Sequence, residues 1–121
     1  MTTTVEVIPE VAAIVAALET IPELTAYPAT PDAITDGAAW PIWSNTVWTG
    51  GKLCRSPVST YDVVAILPAG YTPEAVQIAG GLRDRIYLAL RAVGLVEIAE
   101  PVMVTAAEGA SMPAIRYRLI T

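Results

Sequence analysis

From Pro9 onward, apolar side chains recur at Val11, Ile14, Val15, Leu18 and Ile21, the three-to-four spacing of one helix face. Pro9 suits a first helical position and Pro22 ends the run. Most positions between them are alanine (Ala12, Ala13, Ala16, Ala17), so this first helix is apolar almost all round and should be sandwiched or closely approached. Residues 22 to 41 hold Pro22, Pro28, Pro31, Pro41 and Gly37, which predicts extended, turning chain with at most one short edge strand near Leu24 to Tyr27. Ile42 to Thr49, with Trp43, Val47 and Trp48, reads as a strand. Gly50 to Pro57 reads as a long hairpin connection. Val58 to Leu67 is the clearest strand: Tyr61, Val63, Ala65 and Leu67 fall on one face and Val64 and Ile66 on the other. That is the pattern of a central strand covered on both sides, one cover being open to another subunit.

Thr72, Pro73 and Glu74 read as an N-cap, a first-position proline and an early carboxylate, so a second helix runs from there to Gly94 at its C-cap. Ala75, Ala79, Leu82, Ile86, Leu90 and Val93 form its core stripe. Gln77, Asp84 and Arg91 fall opposite, with Gly80, Gly81, Tyr87 and Leu88 near them. Two adjacent glycines cost roughly 1 kcal/mol each against alanine, which implies either a bend or close approach of a neighbouring backbone. Leu95 to Ala99 and Val102 to Ala106 read as strand interrupted at Pro101, and Glu108 to Pro113 as a turn. Ala114 to Thr121 closes the chain as a strand with Ile115, Tyr117 and Leu119 inward and Arg116, Arg118 and Ile120 outward. With no internal repeat and no linker, residues 1–121 read as a single domain. The fold class is α+β: a mostly antiparallel or mixed sheet of about four to five strands packed with two helices, in the order helix, strands, helix, strands.

Composition adds a bias toward assembly. Hydrophobic residues make up 54% of the 121 positions and charged residues only 16%, so the chain should fold and still leave apolar surface for partners. The net charge of -5 is unevenly spread. Glu6, Glu10, Glu19, Glu23, Asp32 and Asp36 precede the first basic residue, Lys52. This predicts an acidic side that orients association and disfavours tight nucleic-acid binding, or simply a solvated acidic helix. No apolar run approaches the roughly 18 residues of a membrane span, and MTTTVEVIPE lacks the basic and apolar parts of a signal peptide, so the expected compartment is a cytoplasm.

Candidate chemistry is sparse. The chain has no histidine and one cysteine, which removes Ser-His-Asp and Cys-His arrangements, the usual zinc spacings and an internal disulfide. Cys54 has Lys52 and Arg55 nearby, but a partly buried thiol at a hairpin tip is the plainer reading. Glu97 and Glu100 flank Pro101 with no reason to share a pocket. Neither Gly50-Gly51 nor Gly80-Gly81 belongs to a phosphate-binding motif. The expectation is therefore a protein that is not an enzyme, with no catalytic residue, cofactor or metal. Candidate contacts with a neighbouring subunit or a lumen are Gly80, Gly81, Leu88, Arg116 and Arg118; Lys52, Leu53 and Arg55 form a candidate partner-binding loop.

The succession of an N-terminal helix, IPELTAYPATPDAI, AAWPIW, STYDVVAILPAG, TPEAVQIAGGLRDRIYLALRAVG and two terminal strands resembles the tail terminator proteins of long-tailed bacteriophages, especially those infecting actinobacteria. The likeness spans nearly the whole chain. The loop from Lys52 to Pro57 and Trp40, Trp43 and Trp48 map to no motif of that family. The resemblance implies a virion protein of the neck end of the tail, assembled in the host cytoplasm. It implies a ring, typically a homo-hexamer, that caps the tail tube, ends its polymerisation and presents a surface to the head connector. Its partners would be other copies of itself, the tube protein, and the connector or head-completion protein; genomic DNA would pass through the lumen without sequence-specific binding, and no membrane is involved. Two other readings stand beside it: a head-completion or stopper protein of the neck, and a small ligand-binding α+β domain with Tyr27, Tyr61 and the tryptophans lining a pocket.

Overall fold

In the computed structural model, the described residues are 8–48, 57–67, 73–106 and 109–121, with the side chains of 73–80 outside that description. Seven elements follow one another: α1 (Pro9–Glu19), β1 (Thr25–Ala26), β2 (Ala38–Val47), β3 (Val58–Ile66), α2 (Pro73–Arg91), β4 (Leu95–Thr105) and β5 (Ser111–Ile120). The five strands make one mixed sheet in the order β1-β2-β3-β5-β4. The β1–β2 pair is parallel and the other pairs are antiparallel. The fold is α+β, in the order helix, strands, helix, strands.

Each face of the sheet has its own core. On the first, Val11, Ile14 and Leu18 of α1 and Leu82, Ile86 and Leu90 of α2 cover Ala39, Tyr61, Val63, Ala65, Ile115, Tyr117 and Leu119. On the second, Ala38, Trp40, Val64, Ile66 and Ala114 pack together under Tyr27 and Ile34 from the segment between β1 and β2. β3 is therefore the central strand with both faces covered that its two apolar sets predict, and at this end the second cover comes from the chain's own loop. On α2, Leu82, Ile86 and Leu90 of the expected stripe are buried and Val93 is half-buried; Ala75 and Ala79 fall among the side chains outside the description, as does the Thr72 cap. The helix ends at Arg91, where the Gly94 amide donates to the Leu90 carbonyl.

Three boundaries differ from the sequence reading, each at a proline. β2 begins at Ala38, not Ile42, and runs through Pro41. The Ala39 carbonyl accepts from the Tyr27 amide on the β1 side, so two residues on, Pro41 turns its nitrogen to that same side, past the end of the two-residue β1, where no ladder bond is lost. β4 is continuous through Pro101. The Ala106 amide bonds the Ala110 carbonyl, and counting back in the antiparallel alternation puts Pro101 in a non-hydrogen-bonded pair with its nitrogen toward the free edge. β5 starts at Ser111, inside the expected turn, because Pro113 lies beyond the last β3–β5 pair, Ile66 with Ala114. The exposed Pro101 thus points its nitrogen outward on the free β4 edge, a device that blocks edge-to-edge pairing there, whereas Pro41 is buried.

Candidate functional site

Among the expected contact residues of α2, Gly81 and Leu88 lie on a surface. Leu88 is 62% exposed, and Gly81, Asp84 and Arg91 are exposed with it. The helix is unbroken across Gly80 and Gly81. A Cβ built on Gly81 meets nothing within 4 Å, so no part of this chain requires that glycine. Gly81→Ala is accordingly expected to stabilise the isolated chain by about 0.5–1 kcal/mol, read as a raised denaturant midpoint with an unchanged slope.

Arg116 and Arg118 project from the sheet face opposite the helices and meet partners within the chain. Arg116 is hydrogen-bonded to Glu100 on β4, which holds its guanidinium firmly protonated. Arg118 stands a loose 4.0 Å from Asp62 on β3. Of the two, Arg118 keeps the freer head group. Glu97 sits exposed at a bulge in β4, where the register shifts between Val96 and Ile98. The acidic first half and basic second half also meet inside the fold, where Arg85 of α2 pairs with Glu23 and holds its carboxyl below the usual carboxylate range. Lys52, Leu53, Cys54 and Arg55 lie outside the described residues.

A second exposed set went unnoticed in the sequence. The register puts Ile42 opposite Asp62, Val47 opposite Val58, Ile98 opposite Arg118 and Leu95 opposite Ile120, so these residues share the outer sheet face, past the end of the Trp40 cluster. All of Ile42, Val47, Val58, Leu95 and Ile98 are exposed. On the helix-side face, opposite Tyr61 in the register, Trp43 is 60% exposed, yet its indole Nε1–H donates to Thr46 Oγ1 at 2.8 Å, and Thr46 in turn bonds Ser59 at 2.9 Å. An exposed indole held in one orientation is a preorganised contact, since little rotamer freedom is left to lose on binding. The bulge at Ser44, where the register shifts between Trp43 and Asn45, breaks the alternation that would have marked these positions.

The aromatic residues do not converge on a pocket. Tyr61 is buried in the helix-side core, Tyr27 and Trp40 lie on the opposite face, and Trp43 and Trp48 are exposed. Trp40 is buried with its Nε1–H lacking an acceptor among the described residues. A shallow apolar groove of about 260 Å³ runs along α1 instead, lined by Ala12, Val15, Ala16, Glu19 and Pro28. Among the described residues, no group of three or more His, Cys, Asp or Glu side chains is placed to hold a metal, and no helix is long and apolar enough to cross a membrane. Searches with the chain find no family model that matches it and no matching curated protein.

Proposed function

We propose that this chain is a structural virion protein that forms a ring on the end of a bacteriophage tail tube, stops tube growth and offers its other face to the head connector. The observation that carries the reading is a surplus of oriented apolar surface on a chain whose two cores are already closed. Ile42, Val47, Val58, Leu95 and Ile98 on the outer sheet face, the pinned Trp43 and Leu88 on α2 are all exposed. Exposed apolar side chains in this number on a small domain are what protein partners cover. The exposed, outward Pro101 on the β4 edge disfavours association through that edge. The order helix, strands, helix, strands is the order of segments on which the resemblance to tail terminators rests.

The mechanism is binding alone. One face of the ring matches the last ring of the tube; the opposite face does not accept another tube subunit, so polymerisation ends there and the connector docks. DNA passes through the lumen, and the chain's net charge of -5 favours passage over retention. No step asks for a general base, nucleophile, cofactor or metal.

Deleting the gene in its phage tests this. Overlong tails without heads are expected, and the chain supplied in trans restores normal length. Tails of normal length that leak DNA would instead identify a stopper of the neck, and unaltered particles would remove the virion role altogether. The small-ligand reading loses support from the dispersal of Tyr27, Tyr61 and the tryptophans over opposite faces.

A further inference from the structure

Two exposed helix stripes in this chain have the same spacing. On α1, Pro9, Ala12, Ala16 and Glu19 are all exposed, and on α2 so are Gly81, Asp84, Leu88 and Arg91. Both stripes step by three, four and three residues, so two parallel helices can bring them face to face over their whole length. In that register Leu88 meets Ala16 in the α1 groove, Arg91 meets Glu19, and Gly81 meets the ring of Pro9.

Charge and shape each favour this match. Glu19 is in the last turn of α1, where the helix dipole already disfavours a carboxylate, and that turn contains no basic residue. Among the described residues neither Glu19 nor Arg91 has an ion-pair partner, while Arg85 is taken by Glu23. The groove of about 260 Å³ has room for a leucine side chain. Gly81, which nothing within the chain requires, removes the one side chain that would hold the N-terminal end of α1 away.

We infer that α2 of one copy docks along α1 of the next, with Leu88 seated between Ala12 and Ala16 and Arg91 paired with Glu19. The two stripes are different surfaces, so the contact is head-to-tail, and it closes into a ring when the rotation per copy divides a full turn. The occupant of the groove is thus a second copy of this chain. The inference rests on the ring reading for closure alone; pairwise self-association follows from the stripes themselves.

Cysteine pairing provides the test. In a Cys54→Ser background, Ala16→Cys and Leu88→Cys chains are made separately, mixed in equal amounts and oxidised. A disulfide-linked dimer is expected from the mixture and from neither chain alone, and the double variant should give a ladder of multimers. Arg91→Glu and Glu19→Lys should each weaken self-association by at least about tenfold, measured by sedimentation, and the two together should restore it. Circular dichroism checks that each variant is folded.

No cross-link in the mixture, or single reversals that associate like the parent, overturns the inference, as does a parent that stays monomeric at every concentration. If the parent forms rings without that cross-link, the ring reading stands and only this contact falls. If the cross-link forms but phage lacking the gene make tails of normal length, the contact stands and the tail role falls.

Discussion

Tyr117→Ala is expected to cost about 3–5 kcal/mol, enough to lower the melting temperature by roughly 10–20 °C and to take a large share of a stability that for domains of this size is only about 5–15 kcal/mol. Tyr117 is fully buried at the centre of the helix-side core. It lies opposite Val63 of β3 and Ala99 of β4. Its hydroxyl donates to the Arg83 carbonyl of α2 at 2.8 Å, on the lone pair that the helix ladder leaves unused. One side chain therefore fills the layer between sheet and helix and fixes where α2 sits along it. Tyr117→Phe keeps the ring and removes only the tether, for about 1 kcal/mol, because the carbonyl retains its helix bond.

The pair of variants also separates in alkali. Burial raises the Tyr117 phenol above its ordinary value. The folded state thus holds the proton more tightly than the unfolded chain, and the stability this contributes is complete below the unfolded value of about 10. It drains away as pH climbs above that value toward the raised one. Tyr61 is raised as well, chiefly by burial, so Tyr117→Phe should flatten the alkaline limb of the stability curve without abolishing it. An alkaline limb identical in parent and variant would mean that the phenol is solvated in the folded chain.

The elements that could be read from the sequence are those whose evidence is local. Alternation along Val58 to Leu67 sorts Tyr61, Val63 and Ala65 from Val64 and Ile66, and the structure places the two sets in the two cores. The helical period of Leu82, Ile86 and Leu90 likewise puts Leu88 outside. The prolines misled, since Pro41 and Pro101 read as breaks until the strand order shows each nitrogen turned away from a ladder partner, and strand order is set by pairing between distant segments. The partner of Arg116 was hidden for the same reason: Glu100 lies sixteen residues away along the chain yet directly across the β4–β5 ladder. Exposure at Ile42, Val47 and Val58 depends on where the covering loop stops, and no local pattern encodes that. On α1, the alanines gave the sequence-level hint of a close neighbour, whereas the groove needed Pro28, which arrives from beyond β1.

Gly37→Ala is expected to cost about 2–5 kcal/mol, the sum of two effects. The residue sits at φ +79°, where an L side chain costs about 1–2 kcal/mol. Its Cβ would stand 2.5 Å from the Glu23 carbonyl oxygen, a backbone atom, and such overpacking typically adds about 1–3 kcal/mol. Gly37→Asn distinguishes them, since asparagine tolerates the left-handed region yet still carries the Cβ; it should recover only the smaller part. The damage should be local first. The Gly37 carbonyl accepts from Thr25 at 2.9 Å and its amide donates to Ile66 at 3.1 Å, so this one residue links β1 to the sheet. Hydrogen exchange should rise at Thr25 and Tyr27 before it rises in β3. Pro28, a wall of the α1 groove, lies two residues beyond that strand. A loosened β1 therefore lets the groove widen, and Gly37→Ala should weaken self-association beyond what lost stability alone explains. Equal exchange at Thr25 in parent and variant, with a stability loss under about 0.5 kcal/mol, would show that β1 is held by other contacts.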